Sequence, residues 1–372
     1  MKHFNTSKIN HSLIGRVERI IRIIRLILTP VHRRVAHGRP AILLVDGFLI
    51  GDAVLLRPLL RAIIERYGKT HDILVVSGRH ARHIYADMLP DIRIIEFQFP
   101  WATYDYSLRK LVQLGAIWLR LFTTRVEVAL EARGDFRSIA WTSLACPARL
   151  IGFDFTGGAA LLTDVVPDDG TIAHLFEHAR RLGGVLNLEF AEEHIRMDLP
   201  THPKGETARI GVSFAGSQPL KQLPREVGLA LLRQLATDVD AAELWYIQAP
   251  QETVYTDEVL ERELGGRLRL FRGNFEQYYA FLQTLDCHIG MDSGGGHLCA
   301  MFGIPTVVIF GTQVPFYCRP MGGHPLFCAE SALALACRPC DGITCVYETY
   351  QKCLLDIDRH TIVQFVRESL RR

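Results

Sequence analysis

No apolar run in this 372-residue chain reaches the ~20 residues that a bilayer crossing needs, and the N-terminus lacks a signal peptide's uninterrupted apolar core and small-residue cleavage site. The expectation is a cytosolic protein. There is no low-complexity tract and no short-period repeat, which excludes a solenoid or a tail-like chain. Nine cysteines are too few for a disulfide scaffold at this length and fit reduced thiols or a metal site better. Net charge is also small, at +2, but unevenly spread. Residues 1–40 hold nine Lys or Arg against one Glu, which leaves the remainder at about −6 by subtraction. With 48% hydrophobic residues the chain can bury a large core, and the usual size of domains favours two over one.

The basic stretch, residues 1–40, is an extension with its own pattern. In SLIGRVERIIRIIRLIL, helical spacing puts Val17, Ile20, Ile21, Ile23, Ile24, Ile27 and Leu28 on one half of a helix and Arg19, Arg22 and Arg25 on the other, with Arg16 at the boundary. Pro30, with no amide to donate, is expected to end that helix. The helix either packs on the body of the protein or lies in an anionic membrane surface through residues 12–29, arginines on the headgroups. Nucleic acid is the weaker partner, since no aromatic stacking residues or recognisable nucleic-acid fold accompany the arginines.

From Ala41 short β-rich runs alternate with amphipathic segments: AILLVDG, DILVVSG, IRIIEF, RVEVALEA and RLIGF, then, after a polar stretch at 198–208 with two prolines and a glycine, RIGVSFAG, ELWYIQAP, RLRLF, DCHIGMD and PTVVIF. This is the pattern of two doubly wound, Rossmann-like α/β domains, at 41–200 and 207–372, joined by a short connection. Such sheets place ligands beyond the carboxyl ends of their strands, so the active site is expected between the domains.

Three places carry candidate chemistry. LVDGFLIGD sets Gly51 and Asp52 before a helix expected to start near Ala53; Asp52 is either an N-cap or a general base facing the cleft. In SFAGSQPLKQLP a glycine turn with Gly216 and Ser217 precedes Lys221, a solvated lysine or a compact charge for phosphate oxygens, and Glu252 after ELWYIQAP is a weaker candidate for a ribose diol. The densest signal is GMDSGGGHLCAMFGIPTVVIFGT. Asp292, Ser293, Gly294, Gly295, Gly296 and His297 lie between a strand and a small-residue helix, where glycines let backbone amides approach an anion and the helix dipole favours it; a tight turn without ligand is the other reading. The stretch is neither the Walker pattern nor the G-x-G-x-x-G of nicotinamide enzymes. Near the C-terminus, Cys337, Cys340, Cys345 and Cys353 follow C-x2-C-x4-C-x7-C, which suits either a tetrahedral zinc or iron held by thiolates or free thiols packed under the last helix. His174 and His178 share a helical face, but two histidines alone more often pack or face solvent than bind metal.

These residues resemble glycosyltransferase family 9, the group that contains the lipopolysaccharide heptosyltransferases. The family's C-terminal signature is matched by Asp292, Ser293, Gly294, His297, Gly303, Pro305, Thr306, Phe310, Gly311 and Thr312, its opening by Ile50-Gly51-Asp52 and AVLLRPLLRAI, and its Lys-x-Trp-Pro element by Lys221 to Pro224. EARGDFRS at 131–138, with Arg133 and Gly134, and RLIGFD at 149–154 also resemble family segments. The resemblance covers roughly residues 41–365 and implies a GT-B fold with an N-terminal acceptor domain (Gly51, Asp52, Arg133, Gly134) and a C-terminal donor domain (Gly216, Ser217, Lys221, Glu252, Asp292 to His297, Thr312). It implies Asp52 as catalytic base, Lys221 on the phosphates, ADP-heptose as donor, and a lipid-linked or core oligosaccharide acceptor at the inner membrane surface. The cysteine pattern resembles a C-terminal motif of many members; catalysis of this type requires no cofactor. Asp46 departs from the family, which often has Arg or Lys there, and Gly295-Gly296 replace bulkier residues. Two rival readings remain: a non-catalytic nucleotide-sugar-binding scaffold, and a nucleotide-sugar epimerase on the same architecture.

Overall fold

Ala41 to Val45, Ile73 to Val76, and Thr306 to Phe310 are buried along their whole length rather than at alternate positions. Strands of that kind belong to parallel sheets covered by helices on both faces. A computed structural model describes residues 11–46, 49–103, 105–168, 174–197, 207–216, 218–239, 241–250, 252–340 and 344–371, and divides the chain into two units, Met1–His194 and Ile195–Arg372.

The first unit runs α1 (His11–Val35), β1 (His37–Asp46), α2 (Ile50–Tyr67), β2 (Asp72–Ser77), α3 (Ala81–Ile84), β3 (Ile92–Glu96), α4 (Pro100–Thr103), α5 (Leu108–Phe122), β4 (Thr124–Glu131), α6 (Phe136–Leu144), β5 (Arg149–Gly152), β6 (Asp164–Val165) and α7 (Leu175–Gly184). Its strands form one parallel sheet in the order β3-β2-β1-β4-β5-β6. The second unit runs β7 (Arg209–Ser213), α8 (Arg225–Asp238), β8 (Glu243–Ile247), α9 (Asp257–Leu264), β9 (Leu268–Phe271), α10 (Phe275–Leu282), β10 (Cys287–Met291), α11 (Gly294–Phe302), β11 (Thr306–Phe310), α12 (Pro315–Cys318), β12 (Leu326–Glu330), α13 (Lys352–Leu355) and α14 (Arg359–Leu370). Its parallel sheet, β12-β11-β10-β7-β8-β9, read from the β9 edge repeats the topology of the first.

Each sheet therefore reverses strand order once, between β1 and β4 and between β7 and β10. These are the switch points beyond whose carboxyl ends doubly wound sheets open a crevice. Each unit is the Rossmann-like half that the GT-B fold pairs.

Two sequence expectations about helices fail. The first helix does not stop at Pro30 but continues to Val35. Proline removes one internal hydrogen bond, to the Leu26 carbonyl, and just ahead of it Thr29 Oγ1 donates to the Arg25 carbonyl at 2.7 Å. The last turn is held from outside, because His32 is buried with Nδ1 2.8 Å from the Phe122 carbonyl and its ring 5.4 Å from the Phe122 ring. The second helix starts at Ile50, so Asp52 sits inside its first turn rather than ahead of it. No helix among the described residues is long and apolar enough to cross a membrane.

Candidate functional site

At the switch point of the first unit, the loops after β1 and β4 bring Asp52 and Arg133 together: Arg133 Nη1 donates to Asp52 Oδ1 at 2.7 Å. The Leu49 amide donates to Asp52 Oδ2 at 3.2 Å, so the carboxylate also closes the first turn of α2. The expected N-cap role is corrected: Leu49 is the N-cap and Asp52 the third residue of the helix, its side chain reaching back to the Leu49 amide. Gly51 is the half-buried residue before it. Gly134 has φ +68°, and a Cβ there would meet Phe155 Cδ2 at 2.7 Å, so glycine alone lets the chain turn between Arg133 and α6.

Asp52 and Arg133 line a cavity of about 40 Å³ with Asp46, Phe155 and His178. Asp46, the residue at which the sequence departs from the family it resembles, is buried at the carboxyl end of β1. Ser77 Oγ and Tyr85 OH each donate to its Oδ2 at 3.3 Å, while Oδ1 has no hydrogen-bond partner among the described residues. Burial first, and then the charge of Asp52, push its carboxyl up to about 7. Nearby Glu131 is likewise raised to about 7 by burial, although Ser138 Oγ and the Gly134 amide each donate to it at 2.6 Å. Sequence reasoning saw Asp46 as a departure but did not place it in the cavity, and it left His178 as a residue that packs or faces solvent. His178 does pack, 5.2 Å from the rings of Phe153 and Phe155, yet it also faces this cavity; neither its spacing nor its neighbours in sequence signal that.

The raised Asp46 carboxyl has a consequence for stability. Its folded value lies above the ordinary 3.8, so the folded protein holds a proton that the unfolded chain has released. The associated stabilisation is complete below about pH 4 and is lost as pH rises through about 7. Asp46→Asn removes this dependence, and the melting temperature of the variant is expected to gain on the parent between pH 5 and pH 8, by roughly 2–4 kcal/mol of stability at the upper end. A gap that stays constant across that range contradicts the assignment.

The second unit repeats the geometry with opposite emphasis. Across its switch point, Lys221 Nζ, from the loop after β7, lies 3.2 Å from Asp292 Oδ2, at the end of β10. Gly216 is required for this: a Cβ would meet the Lys221 carbonyl carbon and oxygen at 2.6 and 2.5 Å. Ser217 lies outside the described residues. Ser293 is the N-cap of α11, and Gly294, Gly295 and Gly296 form its first turn rather than a loop ahead of it. Gly295 and Gly296 are buried, and a Cβ on them would meet Tyr278 OH at 2.3 Å and Val308 Cγ2 at 3.0 Å. Gly295 lets α11 pack close on α10 and Gly296 lets it pack close on β11, and the amide end of the helix follows directly on Asp292, the partner of Lys221. His297 is buried one step further along the helix.

Glu252 lines a larger cavity, about 680 Å³, with Gln248, Pro250, Asp257, Arg272 and Gly273 beyond the ends of β8 and β9. Its carboxylate is well supplied within the protein. Gln222 Nε2 donates at 2.8 Å, Tyr246 OH at 3.3 Å, and the amides of Val254 and Tyr255 at 3.2 and 3.3 Å. Glu252 thus shapes the loop as much as it faces the cavity, and Gln222 ties that loop to Lys221. Gln248, Asp257 and Arg272 were not signalled by any motif.

None of the nine cysteines is in a disulfide. Cys337, Cys340, Cys345 and Cys353 line one cavity with Leu220, Thr312 and Gln351. Burial pushes the Cys353 thiol up to about 11, and the other three thiols act in the same direction. The donor set has the softness for zinc or iron. As placed, however, no three His, Cys, Asp or Glu among the described residues converge to hold a metal ion. Thr312 belongs with this segment: its carbonyl accepts from the Cys340 amide at 2.9 Å, and its buried hydroxyl has no partner among the described residues. The segment braces the lysine loop, because Gln351 Nε2 donates to the carbonyls of Gln222 at 3.0 Å and Pro219 at 3.4 Å.

No protein-family model and no curated protein matches the sequence. Solved structures do match. An ADP-heptose lps heptosyltransferase II from E. coli is 17% identical with a TM-score of 0.67, over 89% of this chain and 98% of that one. A glycosyl transferase family 9 protein from Veillonella parvula is 13% identical with a TM-score of 0.68, over 90% and 99%. The iron-containing dodecameric glycosyltransferase TibC from enterotoxigenic E. coli is 12% identical with a TM-score of 0.57, over 90% and 77%. At these identities the likeness is one of fold.

Proposed function

We propose that this chain is an inverting glycosyltransferase of the family 9 type. It moves a heptose from ADP-heptose to a hydroxyl of a lipopolysaccharide-core or related lipid-linked glycan, at the cytoplasmic surface of the inner membrane. The observation that carries this reading is the pair of switch-point contacts: a carboxylate held by an arginine in one unit, and a lysine beside a helix amide end in the other. Asp52 takes the proton of the acceptor hydroxyl as its oxygen attacks the anomeric carbon, and the bond from that carbon to the diphosphate breaks. Lys221 and the first amides of α11 receive the charge that develops on the departing diphosphate. Arg133 holds the Asp52 carboxylate in place through its 2.7 Å contact. The cavity beside Glu252 has room for the nucleoside.

The membrane would be reached through residues 12–29 of α1. A structural zinc or iron at the four cysteines is supported by donor chemistry alone, and no step of the transfer runs through it; elemental analysis of the purified chain is the measure of it.

Calorimetry with ADP, UDP, GDP and their sugars tests the donor assignment. Selective binding of ADP and ADP-heptose is expected. A chain that binds none of these nucleotides is better read as a scaffold, and release of an altered sugar nucleotide without any acceptor would identify an epimerase.

A further inference from the structure

The outward side of α5 is apolar. Leu108 is 78% exposed, Val112 63% and Leu119 55%, with Leu111 beside them. On a helical projection these four form one stripe on the side opposite Leu114, Ile117 and Leu121, which pack into the core. A solvent-facing helix normally carries charge there, so an apolar stripe calls for a covering surface.

The first helix does the same. Of the apolar half expected from its sequence, only Ile21 is buried, with Val17 and Leu28 half-buried; Ile20, Ile23, Ile24 and Ile27 remain exposed as a second stripe. Both helices pack on α6. The β3-to-β4 and β4-to-β5 crossovers run in one direction along the sheet, so right-handed connections put α5 and α6 on the same face, and α1 joins them there. The C-terminal ends of α1 and α5 meet at the contact between His32 and Phe122. Their N-terminal ends both lie at the carboxyl edge of the sheet. There Ile14 packs against Gly157 and Glu18 Oε1 accepts from the Gly158 amide at 2.6 Å, next to the loop whose Phe155 lines the cavity of Asp46 and Asp52.

We infer that α1 and α5 together form a single lipid-docking face, with anionic bilayer as its occupant, and that this face brings the acceptor cavity of the first unit to the headgroup level. The inference rests on the membrane reading of α1 and extends it to a helix that no sequence feature singled out. Charge selects the occupant. Arg16, Arg19, Arg22, Arg33 and Arg34 of α1 and Arg109 and Arg120 of α5 are exposed around the stripes. The one acidic residue in either helix, Glu18, is engaged at Gly158. A second copy of the chain would set arginines against arginines, whereas lipid phosphates meet them with opposite charge while acyl chains take the leucines and isoleucines.

The test is co-sedimentation of the full chain with vesicles of phosphatidylcholine alone or mixed with phosphatidylglycerol. The parent, an α5 variant (Leu108→Ser, Val112→Ser, Leu119→Ser) and an α1 variant (Ile20→Ser, Ile23→Ser, Ile27→Ser) are compared. Calorimetric nucleotide binding and circular dichroism confirm that each is folded. The parent is expected to prefer anionic vesicles and to be released by salt, and each variant to partition at least roughly tenfold more weakly. An α5 variant that binds like the parent, while the α1 variant does not, leaves the membrane reading of α1 standing and overturns the two-helix face. A parent that ignores anionic vesicles overturns both. A parent dimer in light scattering that the α5 variant converts to monomer, without vesicle binding, assigns the face to a second copy and overturns the lipid.

Discussion

Asp52→Asn is expected to lower kcat for sugar transfer by roughly 10³-fold or more while leaving ADP binding unchanged. Asparagine is the informative replacement because Asp52 has two structural contacts. Its Oδ2 accepts from the Leu49 amide and its Oδ1 from Arg133, and an amide oxygen can keep either. What asparagine cannot do is take a proton. If Asp52 were only part of the helix start, the asparagine variant would transfer sugar normally and Asp52→Ala would cost about 1 kcal/mol of stability. If it is the base, both variants are inactive and the asparagine variant melts near the parent. Arg133→Ala separates positioning from chemistry. It frees the carboxylate to rotate out of line with the acceptor hydroxyl, so kcat is expected to fall while ADP binding is unchanged. Normal turnover in Asp52→Asn would remove the base assignment.

The strands were legible because most are short runs rich in β-branched and aliphatic residues set between amphipathic segments; ten runs read from sequence are strands β1 to β5 and β7 to β11. The two that were missed are edge strands. Asp164 and Val165 are too short to show any pattern, and Leu326 to Glu330 follow a turn region in which Gly322 and Gly323 obscure the alternation. Periodicity also says that a helix has an apolar face without saying that the face is inside. In α1 and α5 this is why the sequence gives no warning that Ile23 or Leu108 stands in solvent. At the site, residues that follow a strand were found, since loop position after a strand is a sequence property. Asp52 met Arg133 and Lys221 met Asp292 as topology requires. Contacts made across the fold were not legible: His178 reaches its cavity from α7, and Gln351 reaches the lysine loop from a chain segment 129 residues away.

Lys221→Ala is expected to weaken ADP binding and to lower kcat/KM for the sugar nucleotide by about 10²- to 10³-fold, the size found when one preorganised charge is removed from a leaving group. The contact between Lys221 and Asp292 leaves a second explanation for such a loss. In the absence of lysine, the Asp292 carboxylate would face the diphosphate without an intervening cation, and repulsion alone would weaken binding. The double variant Lys221→Ala, Asp292→Ala distinguishes the two. Should lysine act chiefly by neutralising Asp292, removing both restores ADP affinity toward that of the parent. Should it bind phosphate oxygens directly, the double variant binds no better than Lys221→Ala, and the amide end of α11 supplies what affinity remains. Lys221→Arg adds a further distinction. Gly216 packs directly on the lysine backbone, so the loop is fixed, and a planar guanidinium must reach the same oxygens from the same Cα. Affinity retained with reduced kcat in Lys221→Arg would place the lysine charge on the oxygen that develops charge as the sugar departs, rather than on the diphosphate at large.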